Sequence, residues 1–285
     1  MPEALVLGGS GQIGVPVLVR LRARGWHVHA VSRQVREDCD GITWLRGELA
    51  AMPQLPVRVD AIFSLGPLDH FAHWYAASCM ETPRIVAFGS TSVETKRDSG
   101  DGCERDLACR LDVAERGLFD AAAAHGVQAT VLRPTLIYGG GGDRTLTRIA
   151  QLAKRTGFFV LPRHADGLRQ PVHVEDLAAA AMAVLQAPAT FGQAYALPGG
   201  ETLAYRDMVA RTLAALMPSP KLWEVPAPLF SLALAAARAA GRLQGFGDAA
   251  VARMREDLVF DAQPAQRDFD YAPRAFMPTR QMFGL

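Results

Sequence analysis

The chain has 285 residues, 49% of them hydrophobic, which suits one large α/β domain or a large domain with a smaller lobe. Its formal net charge of +1 leaves no electrostatic footprint for nucleic acid, and that class of partner is excluded. Basic residues are nearly all Arg, the lysines being Lys96, Lys154 and Lys221. Cys39, Cys79, Cys103 and Cys109 form no Cys-x-x-Cys pair, so they read as reduced thiols and no metal site is expected. The N-terminus lacks a signal-peptide pattern, and the longest apolar stretch, 226–237, is shorter than the ~20 residues that span a bilayer. A cytoplasmic location is therefore expected.

The first element is a strand, Ala4-Leu5-Val6-Leu7, running directly into Gly8-Gly9-Ser10-Gly11-Gln12-Ile13-Gly14. A pyrophosphate needs several backbone N–H donors at close range together with the positive end of a helix dipole. Gly8 permits a tight turn, Gly11 removes a Cβ where phosphate meets backbone, and Gly14 lets the next helix pack closely on the strand. That helix runs through Val15, Leu18, Val19 and Leu21 to Arg24-Gly25, and a second strand follows at 26–31. The strand–turn–helix–strand context identifies a dinucleotide site. Ser32-Arg33 ends the second strand where an NAD-selective fold places a carboxylate on the ribose hydroxyls. A guanidinium there pairs with a 2′-phosphate, so Arg33 favours NADP over NAD, with Arg36 as a second contact.

Further along, 42–45 reads as a short strand closed by Gly47-Glu48-Leu49. A buried strand at 59–65, an aromatic-rich helix at 68–80 and a strand at 84–88 follow, the last ending at Gly89-Ser90-Thr91. A long helix over 104–125 leads into a strand at 128–133. Such alternation requires right-handed crossovers and a parallel sheet covered on both faces. The fold class is thus α/β: a Rossmann-type doubly wound parallel sheet with a small C-terminal substrate lobe. The cofactor-binding core spans 1–135, and 136–285 supplies the remaining sheet-edge strands and the helical lobe as part of one structural unit. In the second part, helices are expected at 145–156, 174–185, 205–216 and 229–243, with short strands at 158–161 and 193–197. The glycine run 139–142 reads as a loop beside the site, where Arg144 or Arg148 is placed to hold a phosphate. The segment 226–242, with Arg238 and Arg242, reads first as a core-packing helix and second as a contact for a membrane surface or a protein. Ligands bind at the carboxyl ends of such strands, which puts Gly66-Pro67, Ser90-Thr91 and Arg133-Pro134-Thr135 around a nicotinamide.

Together these residues resemble the extended or atypical short-chain dehydrogenases/reductases, the group that includes nucleotide-sugar epimerases, dehydratases and reductases. The resemblance is carried by Gly8/Gly11/Gly14, Gly47-Glu48-Leu49, Asp60-Ala61-Ile62-Phe63 and Gly89-Ser90-Thr91-Ser92. It extends through Leu132-Arg133-Pro134-Thr135-Leu136-Ile137-Tyr138-Gly139 and Gln170-Pro171-Val172-His173-Val174-Glu175-Asp176-Leu177-Ala178. It implies that Glu48 and Leu49 lie by the adenine and Ser64-Leu65-Gly66 along the cofactor. Gly9, Ser10, Gln12, Ile13, Ser32, Arg133 and Pro134 complete the expected cofactor contacts. Ser90 or Thr91 would orient a carbonyl, and pairing of long helices would form a homodimer.

One departure bears directly on chemistry. The family's Tyr-x-x-x-Lys sits on the long helix, and alignment on Ala114-Glu115 puts Leu107 at the Tyr position and Leu111 at the Lys position. The Tyr passes a proton to or from the substrate oxygen while the Lys lowers its pKa and holds the ribose. Two leucines do neither. Arg110 is a poor acid/base and is rotated by roughly 100° from the Lys position; Tyr138 and His173 read as packed core side chains. Two functions follow: an NADP-dependent oxidoreductase or epimerase acting on a nucleotide sugar or other small carbonyl compound, or a catalytically silent NADP-bound structural or redox-sensing subunit.

Overall fold

The computed structural model describes the backbone of residues 1–143, 145–239 and 248–285, so Arg144, Arg242 and the side chain of Arg238 lie outside the described residues. The chain divides into two compact units. One comprises Met1–Thr135, Val172–Pro198 and Asp261–Pro273; the other comprises Leu136–Pro171, Gly199–Phe260 and Arg274–Leu285.

The first unit begins with β1 (Glu3–Leu7), α1 (Gly14–Ala23), β2 (His27–Ser32), β3 (Ile42–Arg46) and β4 (Ala61–Ser64). It continues with α2 (Leu68–Ala77), β5 (Arg84–Phe88), α3 (Ser92–Thr95), α4 (Gly102–Ala124) and β6 (Gln128–Pro134). The second unit then opens with β7 (Ile137–Tyr138), α5 (Leu146–Thr156), β8 (Phe158–Pro162) and β9 (Leu168–Arg169). The chain re-enters the first unit for β10 (Val172–His173), α6 (Val174–Val184) and β11 (Gln193–Leu197). Back in the second unit come β12 (Leu203–Ala204), α7 (Tyr205–Ala214), β13 (Lys221–Val225), α8 (Ala227–Ala239) and α9 (Asp248–Arg253); α10 (Gln263–Phe269) belongs to the first.

A seven-stranded sheet in the order β11-β6-β5-β4-β1-β2-β3 forms the first unit, and its pairings are parallel throughout. Ala4, Leu5 and Val6 of β1, Ala61, Ile62 and Phe63 of β4 and Ile85, Val86 and Ala87 of β5 have no exposed surface. Strands covered on both faces read as continuous apolar runs rather than alternating ones, which is why these three were legible as buried strands. Sequential order reverses beside β1, and the crevice at that switch point is where ligands enter folds of this kind. The first unit's opening segment ends at Thr135, and the chain returns to that unit further on. Residues 193–197 pair with β6 (Tyr195 with Leu132, Leu197 with Pro134), and that ladder draws 172–198 back into the first unit.

At the amino end of this sheet Arg84 is buried, with 5% of its surface exposed. It donates to the carbonyls of Ile85, Gln128 and Val184 and to the hydroxyls of Thr130 and Thr190. Its guanidinium also lies over the Phe191 ring at 4.8 Å. Burial pushes its pKa down to about 10. Val184 ends α6, so the cation meets the negative end of that helix and ties it to β5 and β6.

The second unit packs α5, α7 and β8 around Leu146, Ile149, Ala150, Leu161, Met208, Val209, Leu213, Phe276 and Phe283. Arg169 is buried here too; it donates to the carbonyls of Arg253 and Glu256 beside the end of α9 and lies 5.3 Å from the Tyr205 ring centre. β13 pairs in parallel with β8, a strand that the prolines at 218, 220 and 226 concealed in the sequence. The helix expected over 229–243 starts earlier, at Ala227, and its predicted end lies outside the described residues. The helix expected over 68–80 stops at Ala77, where Ser78 turns extended.

Candidate functional site

The glycine turn owes its shape to the absence of side chains. Gly8 has φ +84°, a left-handed conformation that favours glycine, and a Cβ there would stand 3.1 Å from the Leu65 carbonyl carbon and 3.3 Å from Gly66 N. The end of β4 can therefore lie against the turn, which brings Leu65 and Gly66 beside Gly8. Gly11 N–H donates to Gly8 O at 2.9 Å, closing the turn. A Cβ on Gly14 would meet Gly8 O at 2.3 Å and Gly9 C at 2.5 Å, contacts that real side chains do not make. The N-cap, Ile13, has no side-chain cap, so the start of α1 presents backbone donors rather than a capping hydroxyl. Two buried polar atoms here, Gln12 Oε1 and Ser64 Oγ, have no hydrogen-bond partner among the described residues. A Cβ at Gly66 would meet nothing within 4 Å. A side-chain-free cradle with orphaned polar atoms at its edge fits a dinucleotide.

On the other side of β1, Ser32 and Arg46 are paired at the carboxyl ends of β2 and β3. Gly47 N–H donates to Ser32 O at 2.9 Å, holding the Gly47-Glu48-Leu49 turn against the end of β2. Ser32 Oγ accepts from Gln34 N at 3.2 Å and shapes the bend that carries Arg33 outward. Arg33 is exposed, and Arg36 lies 5.1 Å from the Trp44 ring centre, in cation–π range. Glu48 is exposed, whereas Leu49 packs against the core. Arg33, Arg36 and Arg46 thus belong to one sheet corner, where Arg46 is a residue that sequence reasoning passed over. Its signal was the parallel register of β2 and β3, which no linear motif displays.

At the far strand ends, Ser90 and Thr91 differ in what their hydroxyls have left to give. Thr91 Oγ1 donates to Pro134 O at 3.1 Å and is buried. Ser90 Oγ accepts from Ser92 N at 3.1 Å, which leaves its O–H free to donate among the described residues. Arg133 turns away from a role as an isolated cation. It forms a two-point ion pair with Glu115 of α4 and a third contact with Glu94 of α3 at 2.9 Å. Burial acts against its charge, but the two carboxylates outweigh it and raise its pKa. No linear motif marks Glu94 or Glu115 as partners of Arg133.

Leu111 lies four residues before Glu115 on the same helical stripe and packs against the apolar cluster of Leu5, Ile62, Phe71 and Leu118. Leu107 is half-buried one turn further back. Arg110 pairs with Asp69 of α2 at 2.9 Å, as expected of a residue rotated off the stripe. Lys96, the lysine of this unit, is 3.4 Å from Glu104. In the second unit Tyr138 is wholly buried, edge-on to Phe276 with ring centres 4.9 Å apart. His173 caps α6, its Nδ1 accepting from Glu175 N at 3.1 Å. Both take packed roles. No cluster of His, Cys, Asp or Glu suited to a metal ion occurs among the described residues, and all four cysteines are exposed.

Comparison with known proteins agrees with this geometry. Residues 113–197 match the model of the NAD dependent epimerase/dehydratase family. A 2-alkyl-3-oxoalkanoate reductase of Stenotrophomonas maltophilia is 25% identical over 316 residues, covering 95% of each protein. An epimerase of Methanothermobacter thermautotrophicus superposes with a TM-score of 0.72 at 15% identity, over 99% of this chain and 90% of that one. MoeE5 in complex with UDP-glucuronic acid and NAD gives 0.69 at 19% identity, over 99% and 96%. No described helix is long and apolar enough to cross a membrane. Residues 113–197 thus carry the match to the NAD dependent epimerase/dehydratase family, and the chain along its whole length shares the Rossmann-type fold of these structures.

Proposed function

We propose that the chain is an NADP-dependent oxidoreductase that acts on a small carbonyl compound. The observation that carries the reading is the closed glycine turn, in which Gly14 admits no Cβ and Gly8 lets Leu65-Gly66 approach. NADP rather than NAD is supported by Arg33, Arg36 and Arg46 at the corner where a carboxylate would otherwise meet the ribose. A carbonyl substrate, more than a nucleotide sugar, is supported by the reductase relative along nearly the whole chain.

When bound, the nicotinamide supplies or accepts hydride. Gly8, Gly9, Ser10, Gly11, Gln12, Ile13 and Gly14 would hold the pyrophosphate through backbone N–H groups. Ser64, Leu65 and Gly66 would lie along the cofactor. Glu48 and Leu49 would flank the adenine, with Ser32 and Arg33 at the ribose. Ser90 O–H donates to the substrate oxygen and orients it, while Thr91, locked to Pro134 O, shapes the strand end. Arg133 keeps α3 and α4 against the end of β6 through Glu94 and Glu115. With Leu107 and Leu111 in place of a Tyr/Lys pair, no side chain on α4 relays the proton, and turnover falls by about 10²–10⁴-fold relative to a complete site.

A second reading, a catalytically silent NADP-bound subunit, draws on Leu111, an apolar side chain packed against the core cluster. Retained ligand adds about 2.7 kcal/mol at a hundredfold excess over Kd. Titration with NADPH followed by the fading of nicotinamide absorbance over a panel of ketones and 3-oxo acids separates the two. Slow oxidation with at least one carbonyl supports the enzyme. Tight binding with no oxidation across the panel assigns the silent subunit, and no binding of either nucleotide overturns both.

A further inference from the structure

The second unit turns an apolar face outward. In the β8–β13 pair, Lys221 is in register with Phe158 and Trp223 with Val160, so these four share one face of a two-stranded sheet. The opposite face carries Phe159, Leu161 and Leu222, which pack into the core. The outward face therefore has its apolar residues without being needed for that core. Phe158 and Trp223 stack with ring centres 4.6 Å apart and planes 13° from parallel, yet they are 36% and 50% exposed. β13 runs straight into α8, which has no charged residue before Arg238. Leu234 of this helix is buried, whereas Leu229 and Leu232 are 57% and 69% exposed. A helix apolar on more than one side ordinarily has a second surface against it.

Charge indicates what that surface is. The segments 145–165, 208–223 and 225–247 contain no Asp or Glu, and Glu224 alone stands between the last two. Lys221 N–H donates to Gly157 O at 3.0 Å, which seats the start of β13 at the end of α5, next to the exposed Lys154 and Arg155. Lys221 thus stands beside Phe158 on that face and Lys154 lies four residues before Phe158 in the last turn of α5, in a molecule whose net charge is only +1. Aromatic and leucine side chains beside long basic ones, on an element too short to cross a bilayer, make an interfacial amphipathic surface.

We propose that this face, formed by Phe158, Trp223, Leu229 and Leu232 with Lys154 and Lys221 at its rim, docks on an anionic lipid surface. The apolar side chains enter the headgroup–acyl boundary, and the cations meet the lipid charge. The reading is independent of any catalytic role.

Co-sedimentation of the full chain with phosphatidylcholine vesicles containing phosphatidylglycerol, against phosphatidylcholine alone, tests it. Binding to the anionic vesicles that weakens as salt rises is expected. The double variant Trp223→Ser/Leu232→Ser should lower partitioning by about tenfold or more, and Lys154→Glu/Lys221→Glu should abolish the preference for anionic lipid. All four side chains are exposed or half-exposed, so melting temperatures should hold, and NADPH titration should be unchanged. Equal recovery with both vesicle types, or full binding by the Trp223/Leu232 variant, overturns the proposal. Self-association that these substitutions abolish, without vesicle binding, reassigns the face to a second copy of the chain and overturns it equally.

Discussion

The proposed nucleotide end and the proposed reaction end of the first unit's sheet are built to different degrees. At β1 and β4, backbone alone makes the site: Gly8, Gly11 and Gly14 exclude side chains, and Leu65-Gly66 closes on them. At β5 and β6, side chains must do the chemistry, and there most polar groups are already committed. Thr91 is bonded to Pro134, Arg133 to two glutamates and Arg110 to Asp69, while Leu111 faces core. Ser90 Oγ accepts from Ser92 N, and its O–H has no acceptor among the described residues. On the proposed reading a nucleotide cradle is kept intact while few side-chain groups remain uncommitted at the other strand ends, and possession of the first is no measure of the second.

Breaking the backbone-made end should have the largest effect. Gly14→Val forces a side chain into Gly8 O and Gly9, and NADPH binding by calorimetry should disappear with a fall in melting temperature; retained affinity would contradict the steric account. Gly11→Asp places a carboxylate at the expected phosphate and should likewise abolish binding. At the side-chain-made end, Ser90→Ala should lower kcat by about a hundredfold with NADPH affinity unchanged, since it removes a donor aimed at developing charge. An unchanged kcat would move the carbonyl elsewhere. Arg33→Glu should cut the ratio of NADPH to NADH affinity by roughly ten- to a hundredfold; an unaltered ratio would leave the corner without a role. The smallest functional effect is expected from Glu115→Gln. It should cost about 3 kcal/mol of stability in urea unfolding by leaving Arg133 under-paired, with nucleotide affinity preserved.

The same division explains what the sequence disclosed. Continuous apolar runs such as Ala4–Leu7 and 61–63 and the glycine spacing are local features, and both carried through to the structure. Ion pairs between Arg133, Glu94 and Glu115 join residues 18 and 39 positions apart and leave no linear trace. Arg84 and Arg169 donate largely to backbone carbonyls, which no composition or motif can reveal. β13 was obscured for another reason: five residues between prolines look like a loop until β8 supplies the partner.

A nicotinamide-nucleotide site tuned to a 2′-phosphate is what the proposed function requires. Parallel equilibrium titrations of the purified chain with NADPH and NADH, read by nicotinamide fluorescence, test it most directly. Saturable, one-to-one binding with NADPH at least about tenfold tighter is expected. Binding of neither nucleotide, or tighter binding of NADH, would contradict it.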